Sequence, residues 1–156
     1  MRAMSGEVTV QMDAPIEKVW DLVSDVTRIG EFSPETFEAE WMNEDTGAEL
    51  PRVGARFRGH VKRNGIGPIY WTPCRVTACE PGRVFEFAVE MGGPLNAWGY
   101  RLEEKGGGTA VTEYFRLTPT LPLKLYWALL GWSRGKTNER GMRTTLERMK
   151  AVVEHE

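Results

Sequence analysis

Glu113 is the side chain whose surroundings in this sequence best suit acid or base chemistry. It lies in a segment, residues 111–115, that alternates between apolar and polar positions, so in a strand it faces the same way as its apolar neighbours. A carboxylate among apolar side chains must find hydrogen-bond donors or keep its proton. We expect Tyr100 and Asn138 as donors, unless a bulge turns Glu113 to water. The pattern makes Glu113 a candidate polar anchor for a ligand, or a general acid or base.

A set of mostly aromatic side chains has the same inward parity and is predicted to line a ligand pocket. Buried Trp and Tyr need a partner for their polar tips, so they suit a ligand-sized cavity, although such side chains also simply fill cores. Both interpretations stay open at this point. The predicted ligand-binding residues are Trp41, Phe57, Phe85, Phe87, Trp98, Tyr100, Glu113, Phe115, Asn138 and Met142.

Metal ligands are sparse in this sequence. The cysteines are Cys74 and Cys79, the histidines are His60 and His155, and no CxxC pair occurs. We therefore predict no metal site. The odd spacing of the two cysteines in one extended segment predicts free thiols on opposite faces of a strand. His60 is expected to face water with the basic residues of its strand, so it is not a candidate for catalysis.

Other cofactors and nucleic acid are also not expected. No serine stands in a GxSxG elbow, and Gly106-Gly107-Gly108 precedes a strand rather than a helix, so it is predicted to be a turn and not a phosphate cradle. The 156 residues carry a net charge of −2, which provides no field for holding a polyanion. We expect a single domain spanning residues 1–156, with no cofactor and no nucleic-acid partner.

The chain begins with a strand followed by two short helices. Residues 7–12 alternate at period two, and Asp13-Ala14-Pro15 then supplies a helix start. Apolar residues at helical spacing follow from Ile16 to Val23, and a second short turn is predicted from Ile29 to Phe32.

The middle of the chain predicts a meandering antiparallel sheet. Period-two segments alternate there with turn residues such as Asn64-Gly65 and Glu80-Pro81-Gly82. With the first strand, this gives a sheet of six or seven strands. The predicted segments are Phe37 to Met42, Ala55 to Arg63, Tyr70 to Cys79, Arg83 to Met91, Ala97 to Glu104 and Thr109 to Leu117.

The last part of the chain predicts a long amphipathic helix ending near Val153. An apolar stretch from Leu121 to Trp132 comes before it and is too short to span a bilayer. This stretch either packs across the pocket mouth or forms a portal that touches a membrane or partner transiently. The N-terminus has no apolar core like that of a signal peptide, and the expected location is the cytoplasm.

The order of these elements allows a curved sheet to grip the last helix, and several motifs resemble one superfamily. They are Ala14-Pro15-Ile16-Glu17-Lys18-Val19-Trp20 with the residues to Asp25, Cys74 to Phe87 around Glu80-Pro81-Gly82, Trp98-Gly99-Tyr100-Arg101-Leu102, and Gly107 to Glu113. In this order they resemble the START-like (SRPBCC) superfamily, in particular its polyketide cyclase/dehydrase and lipid transport-like branch. The resemblance implies an α+β helix-grip fold: a curved antiparallel sheet around a long C-terminal helix, with two short helices after the first strand.

The resemblance also implies a deep pocket for a hydrophobic or amphipathic small molecule such as a lipid or a polyketide. It does not imply a reaction, because members of the superfamily either bind, carry or transform such molecules. The sequence therefore predicts a binding or transport protein. One alternative is a cyclase or dehydratase that uses Glu113 as its acid or base, and a second is a regulatory protein controlled by a partner. The oligomeric state and the ligand do not follow from the sequence.

Overall fold

The alternating segments of the sequence form the strands of one antiparallel sheet. The computed structural model describes residues 5–33, 36–42, 51–62, 69–90, 94–117 and 139–155. In this part of the chain the sheet has seven strands. They are β1 (Ser5–Met12), β2 (Thr36–Trp41), β3 (Arg56–Lys62), β4 (Ile69–Glu80), β5 (Val84–Glu90), β6 (Pro94–Lys105) and β7 (Gly108–Leu117).

The strands follow the order β1-β7-β6-β5-β4-β3-β2, so β1 and β2 form the two edges. From β2 to β7 each strand pairs with the next along the chain, and the first strand pairs with the last. The sheet is curved, with a helix at the C-terminal end of the chain. The predicted α+β helix-grip architecture is confirmed.

Two short helices follow β1, as predicted. Helix α1 (Ile16–Val23) begins after Pro15 and buries Val19, Leu22 and Val23, which are spaced as one face of a helix. A 3-10 helix (Val26–Glu31) follows, and the side chain of Asp25 accepts a hydrogen bond from the backbone N–H of Thr27 at 3.0 Å. Together they form a corner against the sheet.

The described part of the last helix, α2, covers residues 139–155. Its apolar stripe enters the core through Met142, Leu146, Met149 and Val153, each no more than 1% exposed. In the described residues, no helix is long and apolar enough to cross a membrane. The predicted portal from Leu121 to Trp132 and the predicted donor Asn138 lie outside the described residues.

Strand β6 begins earlier than the sequence predicted. The prediction began this strand at Ala97 because Gly92-Gly93-Pro94 reads as a turn, whereas the structure begins it at Pro94. The pairing with β5 is regular as far as Asn96, which stands opposite Val89, and it shifts only beyond that pair, between Val89 and Glu90. Asn96 therefore belongs to the strand, which matters for the site described below.

A β-bulge in β4 overturns the prediction for the two cysteines. The pairing of β4 with β5 shifts between Val76 and Ala78, and one extra residue reverses the parity beyond it. Cys74 and Cys79 therefore both pack against the apolar core instead of facing opposite sides. They are free thiols, and burial raises the pKa of Cys74 to about 12, so Cys74 is not a nucleophile at neutral pH.

His60 has partners that its local sequence does not show. Its Nδ1 lies 2.7 Å from a carboxylate oxygen of Glu38, and its ring stacks on Trp71 at 4.2 Å. Both partners come from neighbouring strands. His60 therefore belongs to the outer face of the sheet, the face predicted for it, and it lies away from Glu113.

Two glycines provide a test of how the 3-10 helix sits against β2. A Cβ on Gly30 would lie 2.0 Å from the backbone oxygen of Phe37, whereas a Cβ on Gly141, in α2, would meet nothing within 4 Å. We expect Gly30→Ala to lower the free energy of unfolding by about 2–4 kcal/mol, because backbone must move to relieve the clash. Gly141→Ala, the matched control, should raise it by about 0.5–1 kcal/mol. Urea denaturation measures both, and equal effects would contradict this packing.

Candidate functional site

Glu113 points into the molecule from the middle of β7. It pairs with Val8 on one side and with Tyr100 on the other, and only 5% of it is exposed. No bulge interrupts the pairing of β7 with either neighbour. The period-two rule therefore holds here, and the carboxyl group lies on the concave face of the sheet, as the alternation predicted.

The environment of Glu113 favours a protonated carboxyl group. Burial raises its pKa well above the usual range, and the hydrogen bond from the Tyr100 hydroxyl only partly opposes this. The flanking residues of its own strand on this face, Val111 and Phe115, are apolar and buried. Tyr100 is the one titratable residue of the described chain that shifts the pKa of Glu113, so no described cation offsets the burial.

Tyr100 contacts both Phe32 and Glu113. The ring of Phe32, just after the 3-10 helix, meets the Tyr100 ring edge-on with centroids 6.5 Å apart. Burial raises the pKa of Tyr100 well above its usual value, and the neighbouring Glu113 raises it further. The phenol therefore stays protonated at neutral pH and donates a hydrogen bond to the carboxyl group of Glu113.

Two buried polar atoms have no hydrogen-bond partner among the described residues: Glu113 Oε2 and Asn96 Oδ1. Buried polar atoms in proteins are normally paired, because leaving them unpaired costs free energy. Sequence reasoning missed Asn96, since the strand was predicted to begin at Ala97. The sequence does hold a signal for it: Asn96 is two residues before Trp98 and four before Tyr100, so in a strand all three side chains lie on the same face.

Aromatic rings form a continuous row across the neighbouring strands. Phe57 lies 5.7 Å from Trp41 and 5.1 Å from Phe87, and Phe87 lies 6.3 Å from Phe85. Beyond them, Trp98 and Phe115 pack at 5.3 Å. These rings give the site an apolar wall.

The structure brings together most of the predicted site residues. Phe57, Phe85, Phe115 and Met142 are each at most 2% exposed, whereas Trp41, Phe87 and Trp98 are half-buried and pack against the core. Asn138 lies outside the described residues. Whether these residues bind a ligand stays a prediction.

A second buried carboxylate, Glu86, differs from Glu113 in its hydrogen-bond partners. Glu86, on the outer face of β5, accepts hydrogen bonds from Thr77 at 2.6 Å, from Tyr114 at 2.9 Å and from Arg116. Although burial opposes it, these partners lower the pKa of Glu86 below its usual value. Glu86 is thus a charged, fully partnered group, the opposite of Glu113.

A groove on the outside of the molecule is separate from this site. It has a volume of about 710 Å³ and lies between α1 and the β4–β5 turn, with Trp20, Leu102 and several carboxylates among its lining residues. None of the predicted site residues lines it. In the part of the chain that the structure describes, no group of three or more His, Cys, Asp or Glu residues is arranged to hold a metal.

The chain is similar to a known protein family along nearly its whole length. Residues 3–154 match the family described as polyketide cyclase / dehydrase and lipid transport. The chain belongs to this family. The match confirms the resemblance seen in the sequence, and no curated protein matches the chain.

Solved structures support the same assignment. The solution structure of the Polyketide_cyc-like protein Cgl2372 from Corynebacterium glutamicum is 29% identical, with a TM-score of 0.59 over 97% of this chain and 92% of that one. Protein Ms6760 from Mycobacterium smegmatis is 17% identical, with a TM-score of 0.65 over 98% of this chain and 92% of that one. The di-domain ARO/CYC StfQ from the steffimycin biosynthetic pathway is 11% identical, with a TM-score of 0.71 over 98% of this chain and 51% of that one. The last two show the fold alone.

The raised pKa of Glu113 predicts how stability depends on pH in this family member. The unfolded chain loses this proton near pH 4.3, whereas the folded protein keeps it to a higher pH. Between these two values the folded state binds more protons than the unfolded state. Its stability therefore falls as pH rises, by up to ~1.4 kcal/mol per pH unit from this group.

Glu113→Gln removes this titration and keeps the shape of the side chain. We expect the variant to gain stability relative to the unsubstituted protein as pH rises from 5 upward. Urea denaturation of both proteins across this range measures the difference. A difference that does not change with pH would show that Glu113 ionises normally in the folded protein.

Proposed function

We propose that this protein binds, for storage or transport, a hydrophobic or amphipathic small molecule between the concave face of its sheet and α2. The observation that supports this most directly is the unpartnered Glu113 Oε2 among buried aromatic side chains. A ligand with a polar group would complete the hydrogen bonding that the described residues leave incomplete.

The contrast with a filled core supports this proposal. If Glu113 only filled space, an apolar side chain of similar size would give a more stable fold, because an unpaired buried acid is destabilising. The same chain pairs its other buried carboxylate, Glu86, with three donors. Glu113 lacks such partners, so one of its oxygen atoms is available to bond a ligand, as polar groups in binding sites are.

The family points to the same class of ligand. Its description names lipid transport together with polyketide cyclisation and dehydration, and both activities handle largely apolar molecules. The aromatic row from Trp41 to Phe85 and the Trp98–Phe115 pair supply an apolar surface of this kind.

A neutral fluorescent dye, N-phenyl-naphthylamine, tests the binding proposal. We expect saturable binding with one dye per chain. Trp98→Leu should weaken it about five- to tenfold, because the ring next to Phe115 supplies contact area to the ligand. Trp71→Leu is the matched control: Trp71 is 38% exposed on the outer face, and its loss should leave the affinity unchanged. If no dye binds, or if the two variants behave alike, the proposed site is wrong.

A cyclase is the second candidate, and the Glu113–Tyr100 pair is the observation that favours it. In an aldol closure a carbon–carbon bond forms between an α-carbon and a carbonyl carbon, the α-carbon loses a proton and the carbonyl oxygen gains one. Loss of water then gives the enone. A carboxyl group with a raised pKa, hydrogen-bonded to a phenol, can deliver and recover that proton.

The cyclase candidate is tested with a linear diketone that closes to methylcyclohexenone and water. The enone absorbs in the ultraviolet, so its formation is followed directly. If the protein catalyses the closure, Glu113→Gln should abolish it while dye binding persists, because an amide cannot supply the proton. Closure at the uncatalysed rate with the unsubstituted protein would leave binding as the function.

A further inference from the structure

We propose that Asn96 and Glu113 are the two polar ends of one binding site, whose ligand is an elongated, uncharged molecule with an oxygen group at each end. This inference rests on the proposed function and defines the class of ligand more narrowly. It begins from the fact that the two buried atoms left without partners among the described residues, Asn96 Oδ1 and Glu113 Oε2, belong to adjacent strands.

The two residues share the concave face of the sheet. Asn96, Trp98 and Tyr100 alternate along β6 and so point the same way. Tyr100 is buried and Trp98 packs against the core, and Glu113 stands directly opposite Tyr100. The pairing of β6 with β7 is regular from Asn96 onward, so no bulge reverses the parity between the two groups.

The strand geometry sets the distance between the two ends. Four residue steps separate Asn96 from Tyr100, which corresponds to about 13 Å along an extended strand. Glu113 lies across from Tyr100, so this is also the spacing between the two polar anchors. It is the length of a chain of about ten carbon atoms or of a small fused-ring system.

The surface between the anchors is aromatic. Trp98 and Phe115 stand opposite one another in the register of β6 and β7, midway between Asn96 and Glu113. Their ring centroids are 5.3 Å apart and their planes are tilted by 34°. A ligand that reaches both anchors must therefore place an apolar middle section over these two rings.

The chemistry of the anchors determines the ends of the ligand. Asn96 Oδ1 accepts hydrogen bonds only, so the group it meets must carry a donor such as a hydroxyl. Glu113 keeps its proton in this environment, so it pairs with a neutral oxygen and disfavours a carboxylate. Val8 of β1 and Tyr100 of β6 stand directly opposite Glu113, and neither carries a charge. The buried residues Met142, Leu146, Met149 and Val153 of α2 are uncharged as well.

Displacement of the dye by matched alcohols tests this inference. The probes are decanol, the decanediol with a hydroxyl at each end, and decanoate. An unpartnered buried hydroxyl weakens binding by about ten- to a hundredfold. In the unsubstituted protein the second hydroxyl finds its partner, so we expect the diol to bind at least as tightly as decanol. Decanoate should bind at least tenfold more weakly than decanol at neutral pH.

Variants at each end make the test specific. Asn96→Leu and the double substitution Glu113→Leu/Tyr100→Phe should each leave one hydroxyl of the diol unpaired, so the diol should bind about tenfold more weakly than decanol in both. Tyr100 is replaced as well because its hydroxyl, which donates to Glu113, would otherwise be free to pair with the diol. Glu113→Gln, which can still donate and accept, should keep the diol as tight as decanol. Thr112→Val is the matched control, because Thr112 faces outward and bonds Thr9 at 2.7 Å. Hexanediol and hexanol, too short to span the site, should show the penalty even without substitution.

The outcomes separate this inference from the proposed function. If neither the dye nor decanol binds, the proposed function fails. If decanol binds, but the ratio of diol to decanol affinity is the same in the unsubstituted protein and in both leucine variants, the site exists and the two-anchor inference is wrong. Thermal unfolding checks that the leucine variants are folded, which we expect since Asn96→Leu removes an unpaired buried polar atom and the double variant removes the hydrogen-bonded Tyr100 and Glu113 groups together.

Discussion

The burial of one carboxyl group without sufficient partners is the constraint on which the site depends. Glu113 sits on the concave face of the sheet, and the hydrogen bond from Tyr100 does not offset the loss of water. A protein keeps such a group only where the rest of the fold is stable enough to hold it. Here that support comes from the continuous pairing of β7 with β1 and β6, which leaves the side chain no route to the outer face.

The two buried acidic residues, Glu86 and Glu113, lie on opposite faces of the sheet and have different environments. On the outer face Glu86 is surrounded by donors, and the Tyr114 ring reaches it by lying across Gly99, where a Cβ would come within 2.4 Å of the ring. On the concave face Glu113 is surrounded by apolar side chains. Hydrogen bonds to the charged form lower one pKa, and desolvation raises the other. The first arrangement stabilises the sheet, whereas the second leaves hydrogen-bonding capacity for a ligand.

Binding and catalysis make similar demands on this site. Both need an apolar surface for the body of the molecule and a polar group at a defined place, which Trp98, Phe115 and Glu113 supply together. They differ in what happens to the proton of Glu113. A carrier needs it to stay in place as a hydrogen-bond donor, whereas a cyclase needs it to move to the substrate and return. This is why the amide variant separates the two functions, since it keeps the hydrogen bond and removes the transferable proton.

Local patterns in the sequence were enough to predict the order of the elements, the antiparallel sheet and the inward direction of Glu113, because period-two alternation and turn residues act within a single strand or turn. Tertiary structure decided whatever depended on pairing between strands. The bulge opposite Glu86 turned Cys79 toward the core, and pairing with Val89 of β5 made Asn96 part of β6. Glu38 reached His60 only because β2 lies beside β3. A register shift arises from two strands together, so neither strand's own sequence could reveal it.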